Sequence, residues 1–155
     1  MKSIYMLAAI ALFSLTLHAK ADCVNLVGNY QWTSTDDSGD FLKIAVTQNA
    51  CTTMREVHDQ GWGFTVTRDH IFDGQKHLVE DDGDFQAYET ATIDAGGTRM
   101  LEERHSTDDD GKPVVVLVET DLMPTKDGGL QMNRVFMNED KTVTDQDQTT
   151  LVRMQ

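Results

Sequence analysis

Residues 96–140 read GGTRMLEERHSTDDDGKPVVVLVETDLMPTKDGGLQMNRVFMNED. Runs of strand-like composition are separated here by Asp108-Asp109-Asp110-Gly111 and by Lys126-Asp127-Gly128-Gly129, residues suited to the positive φ angles of tight turns. In the last run Leu130, Met132 and Phe136 alternate with Gln131, Asn133 and Met137, which gives the strand one face to bury. Apolar residues at period two, interrupted by turn residues about every ten positions, are the pattern of an antiparallel sheet made of hairpins.

The same reading extends in both directions. Leu42, Ile44 and Val46 alternate with Lys43, Ala45 and Thr47, and Phe64 and Val66 alternate with Thr65 and Thr67. Further breaks fall at Asp36-Asp37-Ser38-Gly39, Gln48-Asn49-Ala50, Gln60-Gly61, Asp73-Gly74, Asp81-Asp82-Gly83, Ala95-Gly96-Gly97 and Asn138-Glu139-Asp140. They predict strands near 26–34, 40–47, 51–57, 62–67, 70–79 (with a possible break at Asp73-Gly74), 85–93, 98–106, 112–122, 129–137 and 142–154. The expected fold is all-β: an antiparallel up-and-down β-barrel of eight to ten strands, in which consecutive hairpins close the sheet on itself and leave no free edge. Val114-Val115-Val116-Leu117-Val118 is apolar on both faces, which calls for a loop or partner over its outer side or marks a patch for association.

The N-terminus reads differently. Lys2, a predominantly apolar run from Ile4 to Leu17 and the small-x-small sequence Ala19-Lys20-Ala21 have the layout of a secretory signal peptide, so residues 1–21 are assigned to a leader and 22–155 to a single β domain. An uncleaved anchor would need an apolar run of about 20 residues. A lipid-modified Cys23 would want small and apolar residues in place of Lys20-Ala21-Asp22; neither alternative fits as well. Export to the periplasm or beyond takes the chain out of the reducing cytosol, and Cys23 and Cys51, the only cysteines, then read as one disulfide. The formal charge of -13 disfavours nucleic acid and anionic membrane surfaces as partners. Strands such as Arg99-Met100-Leu101-Glu102-Glu103-Arg104 lack the outward apolar band of a membrane-embedded barrel.

Gly28-Asn29-Tyr30-Gln31-Trp32 opens the first strand and Arg153 lies close to the chain end. A Gly-x-aromatic in the first strand, a meander and a late arginine together resemble the calycin superfamily of lipocalin-like barrels, and in particular small secreted lipocalin-like proteins of Gram-negative bacteria. The resemblance implies that Gly28, Tyr30, Trp32 and Arg153 form a barrel closure, with Arg153 packed over an aromatic ring of the first strand. A Thr-Asp-Tyr turn typical of lipocalins is missing, since Thr120-Asp121 is followed by Leu122 inside a predicted strand.

No residue pattern points to catalysis. Ser34, Ser38 and Ser106 lie outside any nucleophile elbow, Cys51 is used in the disulfide, and acidic pairs such as Glu102-Glu103 are expected by chance in so acidic a chain. His58, His70, His77 and His105 show no spacing for a metal and read as scattered surface histidines. Ser106-Thr107-Asp108-Asp109-Asp110-Gly111 resembles part of a calcium loop but would place Leu117 where a bidentate Glu is required, so it reads as an acidic turn. The expectation is therefore a non-enzymatic protein without metal or cofactor that binds a small apolar molecule in the barrel mouth. The alternative is a protein-interaction module with a side-chain-filled barrel and acidic loops.

Overall fold

The computed structural model describes residues 22–32, 43–59 and 63–155. The leader expected at 1–21 and the turns expected at Asp36-Asp37-Ser38-Gly39 and Gln60-Gly61 lie outside the described residues.

Ten strands follow in chain order: β1 (Gly28–Trp32), β2 (Lys43–Asn49), β3 (Thr53–Asp59), β4 (Thr65–Ile71), β5 (Lys76–Asp81), β6 (Gln86–Ile93), β7 (Thr98–Thr107), β8 (Pro113–Pro124), β9 (Leu130–Asn138) and β10 (Val143–Arg153). They lie close to the predicted spans, because turn chemistry sets the boundaries. Gly83, Gly111 and Gly128 each sit at positive φ in the expected turns. The gap expected between residues 67 and 70 is absent: β4 runs through it, with Asp69 paired outward to Arg55 and Arg68 approaching Glu102 on the interior face, and the chain turns at the expected break Asp73-Gly74.

All strands belong to one antiparallel sheet of order β4-β3-β2-β1-β10-β9-β8-β7-β6-β5. The first and last strands pair, with Tyr30 opposite Arg153 and Trp32 opposite Leu151. The expected closed barrel is not completed: β4 and β5 are adjacent in sequence, yet they form the two free edges of the sheet. The connection between them is held from both sides, Phe72 N–H donating to Thr52 O (2.8 Å) beside β3 and Gly74 N–H to Ala91 O (3.1 Å) on β6. Beyond it, inward side chains of β4 reach past β5, His70 to Glu89 on β6 and Arg68 to Glu102 on β7. A register shift between Leu78 and Glu80 adds to the divergence of β5. The result is a rolled sheet with a seam down one side.

The core sits at one end of the roll and consists of Leu26, Tyr30, Ile44, Val46, Met54, Ala91, Met100, Leu122, Leu130 and Leu151. The segment before β1 covers this end. Gln48 fastens it, accepting from Leu26 N–H (3.0 Å) and donating to Val24 O (2.9 Å), and the Cys23–Cys51 disulfide joins it to the turn after β2, with Cα atoms 5.6 Å apart. Closing a loop of this length stabilises by about 3.5 kcal/mol in the chain-entropy picture.

Candidate functional site

Along several strands the inward positions pass from apolar to charged without a change of period. Met54 is followed by Glu56 and His58, Ala91 is preceded by Glu89, Met100 is followed by Glu102 and Arg104, and Met132 by Arg134. The same side of the sheet that supplies the core therefore supplies a second, charged chamber. Two cavities open there. An inner one of about 200 Å³ has Trp32, Ile44, Met100, Leu122 and Met132 on its apolar side. A lateral one of about 650 Å³ runs along the seam between β4 and β5. Val66, Arg68, His70, Glu89 and Glu102 line both, so the two cavities adjoin across these side chains. The rim of the seam carries exposed Val66, Ile71, Leu78 and Val79.

At the junction of the two cavities stands His70, only 4% exposed, between two buried carboxylates. Its Nδ1 lies 2.8 and 3.0 Å from the Glu89 oxygens, and its Nε2 lies 3.8 Å from Glu56 Oε2, which is beyond a hydrogen bond. Glu56 Oε2 is instead 2.8 Å from His58 Nε2. Burial works against a charge on His70, but the carboxylates of Glu56 and Glu89 outweigh it and raise its pKa to about 9. Burial likewise opposes ionisation of Glu56, and the imidazoles of His58 and His70 overcome it, lowering the carboxyl to about 2. An imidazolium between carboxylates follows. Farther along, Arg104 bonds Glu102, Arg68 approaches the same carboxylate at 3.8 Å, and Arg134 forms a bidentate pair with Asp147 at 2.7 and 3.0 Å.

The residues expected at a barrel closure divide between the two ends. Tyr30 Oη donates to Leu26 O (2.8 Å), and Arg153 Nη2 donates to Val27 O (3.0 Å). A Cβ added to Gly28 would meet Tyr30 Oη at 2.9 Å and Arg153 Nε at 3.2 Å, so Gly28, Tyr30 and Arg153 gather at the apolar end and the glycine is required by their close approach. Burial pushes the Tyr30 phenol up, against the opposing influence of Arg153. Trp32 stands apart from them, half-buried in the wall of the inner cavity.

Of the four histidines weighed as metal ligands, His58 and His70 depart from the expected surface placement. His70 is buried and His58 half-buried in the chamber, while His77 and His105 are held by Asp73 and Glu103 outside it. Among the described residues no group of three or more His, Cys, Asp or Glu side chains has the geometry to hold a metal ion, and no helix is long and apolar enough to cross a membrane. The signal that would have found the chamber is parity: Glu56, His58, Arg68, His70, Glu89 and Glu102 all fall on positions in phase with core residues of their own or the paired strand. No protein-family model matches this chain, and no curated protein matches it.

Proposed function

We propose that this chain is an exported, lipocalin-like binding protein that takes a small, largely apolar molecule into the interior of its sheet. One observation carries the reading: the interior holds open space that adjoins a second cavity along the β4–β5 seam, with apolar side chains on one wall and a compact charged group on the other. Ligand pockets combine mostly apolar walls with a few placed polar groups. The space weighs against the alternative of an interior filled by side chains. The charged wall narrows the expected guest from a purely apolar molecule to one with a polar point of attachment. Export is supported by the leader-like N-terminus and by the disulfide, and it places the protein in the periplasm or outside the cell.

Native mass spectrometry of the protein taken from the exported fraction of its producing cell tests the reading. A chain starting at Asp22, two hydrogens lighter than the reduced form and carrying a low-mass guest, is expected. A retained leader or an acylated Cys23 would contradict the export assignment. An empty protein that also fails to take up apolar probes would contradict the binding assignment.

A further inference from the structure

We infer that the guest is anchored by a neutral hydrogen-bond acceptor, a carbonyl or hydroxyl oxygen on an otherwise apolar molecule, set against Nε2 of His70. The inference rests on the binding reading above and names the chemistry of the guest.

Nε2 of His70 is a buried polar atom without a hydrogen-bond partner, on a side chain that lines both cavities. Buried polar atoms in folded proteins are nearly always paired, so an orphan at a cavity wall marks the place where something else supplies the partner. Its other ring nitrogen is already committed to Glu89, which fixes the orientation of the ring and leaves only Nε2 for a guest. With the imidazole held in its charged form by the flanking carboxylates, Nε2 carries a proton and acts as a donor. The missing partner is an acceptor.

Charge balance selects the kind of acceptor. The chamber's three carboxylates, Glu56, Glu89 and Glu102, are already matched by three cations: His70 lies between Glu89 and Glu56, at 2.8 and 3.8 Å, and Arg104 and Arg68 approach Glu102. An anionic headgroup would enter among Glu56, Glu89 and Glu102 with no cation left to itself, and a buried charge without a partner is strongly unfavourable. A neutral oxygen satisfies Nε2 and leaves the balance intact. The remainder of such a molecule meets Trp32, Ile44, Met100, Leu122 and Met132 in the inner cavity, and the apolar rim of the seam gives it a way in.

The probe is 6-propionyl-2-dimethylaminonaphthalene, a neutral ketone whose emission moves to longer wavelength when its carbonyl accepts a hydrogen bond. Its anionic counterpart is 1-anilinonaphthalene-8-sulfonate. With the full mature protein, the ketone is expected to bind at one saturable site with hydrogen-bonded emission, and at least about tenfold tighter than the sulfonate, the scale of one charge-assisted hydrogen bond. His70→Leu should weaken the ketone about tenfold and move its emission to shorter wavelength, whereas His70→Gln, which keeps a donor, should restore much of both. If His70→Leu does not fold, the proton on His70 Nε2 is followed by NMR in the wild type, where the ketone should shift it and 2-dimethylaminonaphthalene, which lacks the carbonyl, should not. Saturable binding with short-wavelength emission, tighter binding of the sulfonate, or an Nε2 proton indifferent to the carbonyl would overturn this inference and leave the binding reading standing. Failure of every probe to bind would overturn both.

Discussion

His70 and Glu56 make opposite demands on pH. The folded-state pKa of His70, about 9, lies above its ordinary 6.5, so the stabilisation from its charge is complete below pH 6.5 and is lost as pH rises through 9. For Glu56, lowered from 4.5 to about 2, the contribution is complete above pH 4.5 and is lost as pH falls through 2. The groups facing His70 are Glu56 and His58 on β3, Arg68 on β4 and Glu89 on β6. Urea unfolding from pH 6.5 to 9.5 should therefore show the wild type losing roughly 1–3 kcal/mol while His70→Gln stays nearly flat. Parallel curves would mean that the imidazole is not held between the two carboxylates. At the apolar end, Gly28→Ala forces a Cβ to within 2.9 Å of the buried, hydrogen-bonded Tyr30 hydroxyl. A loss of about 1–3 kcal/mol is expected in the same assay, and an unchanged midpoint would show that the Tyr30 ring yields freely. Gly28 and Tyr30 could be singled out in the sequence because a Gly-x-aromatic is a recognisable local pattern, and Arg153 because it is an arginine close to the chain end. His70 could not be, because its partners Glu56 and Glu89 are 14 and 19 positions away and come together only through strand register.

Strand positions were legible at the level of elements for a local reason: period-two alternation and turn residues act over a few positions, and each of the ten strands carries its own signal. The seam was not legible, because β4 and β5 are joined by a short turn and would by that rule form a hairpin. What separates them is non-local. Thr52 and Ala91 hold the two ends of the connection, and the charges of Arg68 and His70 find partners on β7 and β6. Free edges expose backbone amides that a paired strand would protect. Hydrogen exchange should accordingly be faster at the outward edges of β4 and β5 than across the β7–β8 ladder, where residues 98–107 pair continuously with 113–122. Equal protection at the two places would show that the seam closes in solution.

For the molecule as a whole, one sheet divides its interior into a packed end and a chamber. The packed end is fastened by the disulfide, by Gln48 and by the Tyr30–Arg153 cluster, and it provides the rigidity against which the chamber side chains are placed. The chamber is nearly balanced in charge although the chain carries a formal -13, so the net acidity arises elsewhere in the chain, and it disfavours anionic partners. On the proposed function, a guest is bound in this chamber. Backbone NMR of the isotopically labelled mature protein, titrated with 6-propionyl-2-dimethylaminonaphthalene, tests it most directly. Saturable shifts are expected at Trp32, Ile44, Met100, Leu122 and Met132, at His70, and along the β4–β5 seam. Shifts confined to the outer face, or no saturable shifts at all, would contradict it.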